Sequence, residues 1–199
     1  MRILSIIFNL VIFAVTFALA TSFFRKNGSW DVKNGFSAFR YFTVLSNVIA
    51  GLASLFMAVC QIAGNVLIIV WHLKYLGTVM VTVTFLTVIL YLGPRAGGYK
   101  DLLAKENLYM HLIIPILTII SFCFFEKGKA MSINLALCGV LPVILYGTFY
   151  LYKIMLAPEE KRWEDFYGFN REGKWYITFG AFLAASVCIC ILLRFLYLI

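Results

Sequence analysis

Six charge-free stretches divide this chain of 199 residues, at 3–24, 41–73, 75–94, 107–125, 130–152 and 175–193. A helix of about 20 apolar residues crosses the hydrocarbon core of a bilayer, so five of these stretches each have the length of one crossing. The stretch 41–73 exceeds one straight crossing. Gly64-Asn65 supplies a stop within it, leaving a span at 41–63 and a short interfacial piece through Trp71 and His72. The expected fold is all-α: a polytopic integral membrane protein, one six-helix transmembrane domain over 1–199. Its helices are expected at 3–24, 41–63, 75–94, 107–125, 130–152 and 175–193.

Composition points the same way. The chain is 63% hydrophobic and 13% charged, where a soluble domain is about half apolar and a quarter charged. A water-soluble enzyme and a disordered chain are both excluded on that ground. The net charge of +8 is scattered between apolar runs rather than gathered on one face, so nucleic acid is not an expected partner. The first stretch is too long for a signal-peptide core and lacks a small-residue cleavage site, which makes it helix one. All four tryptophans (Trp30, Trp71, Trp163, Trp175) fall at span ends or in loops, where amphipathic rings belong.

Lys and Arg counting gives an orientation. Twelve of the 17 lie in connections one, three and five, which places those connections in the cytoplasm and both termini outside. The five cysteines (Cys60, Cys123, Cys138, Cys188, Cys190) lie within spans, with no CxxC spacing and no histidine cluster. Neither a disulfide framework, a metal site nor a cofactor is expected. Every Asp and Glu falls outside the charge-free stretches, which argues against coupling to protons or sodium inside the membrane.

Polar residues inside the spans are few. Thr43, Ser46 and Asn47 stand at i, i+3 and i+4 at the start of helix two and share one face. Ser46, Ala50, Ser54 and Ala58 continue as a small-residue ladder suited to helix packing. Asn47 needs polar company, because an amide in hydrocarbon without partners costs several kcal/mol. His111 lies near the start of helix four and is read as the only histidine in a span. Pro115, four residues on, removes the partner of the His111 carbonyl and predicts a kink. Connections one and three lie on one side of the membrane, so Thr43 and His111 sit at matched depth, within roughly 10 Å of the same interface. A hydroxyl and an imidazole so placed are the minimum parts for acyl transfer. In helix three, Thr78 and Thr82 share a face with Thr87 further down, and these are candidates to line the same cavity, Thr78 as a substrate contact.

The run Phe39-Arg40-Tyr41-Phe42-Thr43-Val44-Leu45-Ser46-Asn47, with Tyr109-Met110-His111-Leu112-Ile113-Ile114-Pro115 and Leu73-Lys74-Tyr75-Leu76-Gly77-Thr78-Val79, resembles the androgen-induced protein and androgen-dependent TFPI-regulating protein family of membrane hydrolases. The likeness is nearest to that family's bacterial six-helix relatives, and the order and number of helices agree along nearly the whole chain. It implies an intramembrane hydrolase of fatty acid esters, with Thr43 as nucleophile, His111 as its partner and a lipid ester as substrate. The family's animal members have both termini in the cytoplasm, opposite to the charge count here. Asn47 is the candidate to orient the site or donate to the oxyanion, with Ser46 and Thr78 as further substrate contacts. No acidic third member is identifiable; Asp101, Glu106 and Asp165 are the carboxylates open to the role, and each also reads as a solvated loop charge. From other classes, the same pocket suits a non-enzymatic lipid-binding or transport protein, or an accessory protein in which His111 and Asn47 join helices.

Overall fold

Hydrocarbon offers backbone groups no partner but each other, so an apolar run of this length satisfies itself as a helix. The computed structural model describes residues 1–26 and 28–199. The elements run α1 Arg2–Ser22, β1 Arg25–Lys26, β2 Ser29–Trp30, α2 Val32–Ala38, α3 Phe42–Ile62, α4 Ile68–Arg95, α5 Glu106–Phe125, α6 Ile133–Leu156 and α7 Trp175–Leu198. Six of these helices, all but α2, are long and apolar enough to cross a membrane. The chain is an all-α bundle of the multi-pass membrane type. The two-residue strands pair antiparallel, Arg25 with Trp30 and Lys26 with Ser29. Asp31 starts α2 by accepting from the Asn34 N–H at 2.9 Å.

Several expectations around Lys74 need correction. Helix α4 begins at Ile68 rather than at 75, so Trp71 and His72 belong to its first turns and not to a separate interfacial piece. The charge expected to end it, Lys74, is fully buried: its Nζ donates to Ser54 Oγ at 2.7 Å and lies 3.7 Å from Glu126 Oε1. A charge with a partner does not need to leave the bundle, and the helix passes through it. Trp71 is accordingly a core residue, donating from Nε1 to the Glu126 carbonyl at 3.2 Å and packed on Phe122 and Tyr197. Glu126, one residue beyond α5, is also buried, so a carboxylate outside the charge-free stretches still lies inside the bundle. His111 is joined by His72 as a histidine within a span.

Helix α3 packs between α1 and α4. Its ladder of Ser46, Ala50, Ser54 and Ala58 is buried and lets the backbones approach closely. A Cβ on Gly77 of α4 would stand 2.9 Å from the Ala50 Cα, and one on Gly51 would stand 2.8 Å from the Thr16 Cγ2 of α1. Small residues at such crossings allow helices to associate where no hydrophobic effect drives them. In the middle layer four hydroxyls of α3, α4 and α5 bond back to their own helices. Ser54 donates to Ala50 O, Thr78 to Lys74 O, Thr82 to Thr78 O and Thr118 to Ile114 O, all at 2.7–2.8 Å. Large aliphatic side chains such as Leu90, Leu145 and Leu156 point outward, the surface that hydrocarbon covers.

Candidate functional site

The first turn of α3 has no side-chain cap, and its amides need partners from elsewhere. The Phe42 N–H donates to the Tyr167 phenol oxygen at 2.9 Å. Tyr167 belongs to the connection between α6 and α7, which folds back over this end of the bundle. Asp165 organises that fold: Oδ1 accepts from the Tyr150 hydroxyl at 2.9 Å and the Phe169 N–H at 2.8 Å, while Oδ2 accepts from the Asn170 N–H at 2.8 Å. With its oxygens so engaged, Asp165 serves this loop and not His111. The hydroxyls of Thr43 and Tyr146 also face the Tyr167 phenol. Burial pushes that phenol above its ordinary value, and these neighbours with the Phe42 N–H oppose the shift without cancelling it.

Thr43, half-buried, lines a narrow cleft of about 40 Å³ with Phe42, Thr84, Tyr146, Tyr167 and Phe182. Val83, Thr87 and Phe182 are shared with a groove of about 600 Å³ between α4 and α7. The groove is apolar, and its rim residues Leu90, Ile177 and Leu192 are exposed. A water-sized space beside the threonine thus adjoins a larger apolar groove.

Ser46 Oγ donates to the Thr43 carbonyl at 3.0 Å and lies 2.9 Å from Thr84 Oγ1. Asn47 is buried and spends both amide hydrogens, on the Thr43 carbonyl at 2.7 Å and the Met110 carbonyl at 3.1 Å. Its Oδ1 has no partner among the described residues. The bond to Met110 has a local cause. Residues Tyr109–Ile113 form a π turn, with the Ile114 N–H on the Tyr109 carbonyl. The next donor in that register is residue 115, a proline, so the Met110 carbonyl takes its hydrogen from Asn47 instead. Pro115 therefore acts through a widened turn around His111, and the freed carbonyl is that of Met110. Both hydrogens being committed, Asn47 holds two helices together and is not free to donate to an oxyanion.

His111 is nearly buried, and its Nδ1 lies 2.6 Å from the Leu102 carbonyl. A carbonyl only accepts, so Nδ1 carries the hydrogen and the neutral ring keeps its lone pair on Nε2. That is how a general base is oriented, with a backbone carbonyl in the place sought for an acidic third member. Asp101 and Glu106 have no hydrogen bond to His111 among the described residues. His111 does not line the cleft that holds Thr43, and the two are not hydrogen-bonded to each other. Asn47 links the turns that carry them.

Thr78 stands outside this cleft. Helices α3 and α4 are antiparallel, so the last turns of α4 meet the first turn of α3; Thr84 faces Ser46, whereas Gly77 lies against Ala50. Thr84, Tyr167 and the Leu102 carbonyl were not among the sequence candidates. The density of aromatic residues from Trp163 to Phe169 was the available signal that this connection is folded. Among the described residues, no three His, Cys, Asp or Glu side chains gather as a metal site. Compared with known families, characterised proteins and solved structures, the chain matches no family model, no characterised sequence and no solved fold.

Proposed function

We propose that this chain is an intramembrane hydrolase of lipid esters, with Thr43 as nucleophile and His111 as its base. One observation carries the proposal: the Asn47 amide ties the Thr43 turn to the turn bearing His111, whose Nδ1–H is committed to Leu102. In the reaction, His111 Nε2 takes the proton from Thr43 Oγ1 as that oxygen attacks the ester carbonyl. The alcohol leaves with the proton, and water then cleaves the acyl-threonine. The acyl chain occupies the groove between α4 and α7. Tyr167, facing Thr43, takes the donor role toward the oxyanion that Asn47 is not free to fill. Nucleophile–base contacts of this kind commonly tighten only as substrate seats. The resemblance to the androgen-induced protein and androgen-dependent TFPI-regulating protein family agrees with this assignment. On the charge count, connections one, three and five face the cytoplasm.

The contrast between about 600 Å³ in the groove and about 40 Å³ beside Thr43 also fits a non-enzymatic lipid carrier. Labelling by a fluorophosphonate probe separates the two. The expected result is an adduct on Thr43 that is absent from Thr43→Ala and forms about a hundredfold more slowly in His111→Ala, the size of a general-base contribution. Folded wild-type protein that forms no adduct from mildly acid to alkaline pH overturns the hydrolase in favour of the carrier.

A further inference from the structure

The opposite end of the bundle, where α3 meets α4 and α5 meets α6, holds a separate cavity of about 350 Å³. Its wall is partly apolar, with Met57, Val66, Trp71 and Phe125, and carries two buried polar side chains. Gln61 and Glu126 stand in it at 8% and 4% exposure, beside Trp71. Glu126 Oε1 is fully served, accepting from Asn9 Nδ2 at 2.7 Å and Ser121 Oγ at 2.6 Å, with the Lys74 ammonium at 3.7 Å. Glu126 Oε2 has no partner among the described residues. Gln61 repeats the pattern: Nε2 donates to Ser5 Oγ at 2.7 Å, and Oε1 has none. Buried acceptors are rarely left so; both oxygens are covered by protein, and a turn of the Gln61 or Glu126 side chain, each in the cavity wall, presents them to a donor there.

The rim has the opposite character. Arg2, Lys127 and Lys129 line the same cavity, and Glu126 is the only carboxylate there among the described residues. An occupant that suits both parts presents negative charge to the rim and hydrogen-bond donors to the wall. Phosphoethanolamine has that order of groups. Phosphocholine has the same charges but no N–H to give. The position also fits, since these residues cluster where helices end and phospholipid head groups lie.

We propose that this cavity binds the head group of an amine-bearing phospholipid, its phosphate on Arg2, Lys127 and Lys129 and its ammonium on Gln61 Oε1 and Glu126 Oε2. The site is independent of the ester chemistry at the other end. The test is native mass spectrometry of the purified full-length chain with equal amounts of short-chain phosphatidylethanolamine and phosphatidylcholine. About tenfold preferential retention of the ethanolamine lipid is expected, the ratio one charge-assisted hydrogen bond supplies. Gln61→Met is expected to pull that ratio toward unity, and Lys127→Ala with Lys129→Ala to weaken retention of both lipids. The two lysines lie at the rim, so the double variant tests the site even if Gln61→Met fails to fold. Displacement by free glycerophosphoethanolamine at lipid concentrations supports the site with a soluble phosphoester as ligand, and resistance to it supports the lipid. Equal retention of the two lipids overturns the proposal. So does an unchanged ratio in folded Gln61→Met, or unchanged retention in the double lysine variant.

Discussion

At the scale of single residues, Lys74 concentrates the most risk. It is wholly inside the protein, with one carboxylate and one hydroxyl for company. Removing one partner of a buried pair leaves the other charged and unpaired, which costs about 3–5 kcal/mol. Lys74→Met should therefore unfold at markedly lower denaturant in micelles. Adding Glu126→Gln should restore much of the loss, because the group left behind is then neutral. Tyr167 gives a pH prediction with a definite sign. Its phenol holds its proton above the ordinary tyrosine value of 10.0, so the folded chain keeps a proton there that the unfolded chain has released. Its contribution to stability is complete below pH 10.0 and is lost as pH rises through the folded value. Alkaline unfolding of wild type should thus be steeper than that of Tyr167→Phe. The grouping of Thr43, Ser46 and Asn47 on one face was legible in the sequence, because helical spacing alone dictates it. Lys74 was not, since a lone charge between two apolar runs looks the same whether it ends a helix or is answered from another one. The Leu102 carbonyl could not be read at all, as every residue has one.

Among the elements, α3 and α5 depend on each other through a single amide. If Asn47 serves a carbonyl that proline leaves bare, restoring the backbone N–H should make it dispensable. Asn47→Ala should cost about 1–3 kcal/mol in the wild-type background, and clearly less in Pro115→Ala. A double-mutant cycle of unfolding free energies measures this coupling; simple additivity of the two changes would contradict it. The sequence announced an irregularity at Pro115 but not its form. A proline shows which donor is missing, while the choice between a kink and a widened turn depends on which neighbour can reach the orphaned carbonyl. Helix ends were legible where charges meet water. At Ile68 this failed, because the charge that follows is buried.

For the whole molecule, the six crossings follow from hydrocarbon alone and were readable from apolar length. The connection over Thr43 was not, because its fold rests on Asp165 and on aromatic contacts between distant residues. Orientation remains a matter of charge, and it can be measured. In intact cells a membrane-impermeant maleimide should label Asn65→Cys, between α3 and α4, and spare Lys100→Cys, between α4 and α5; the reverse pattern would invert the assignment. The back-bonded hydroxyls of the middle layer have an electrical consequence. Ser54, Thr78, Thr82 and Thr118 have each given their hydrogen to a carbonyl of their own helix, so none can pass a proton onward without first breaking that bond. Through these four hydroxyls the middle layer offers no ready relay between the Glu126 end of the bundle and the Thr43 end.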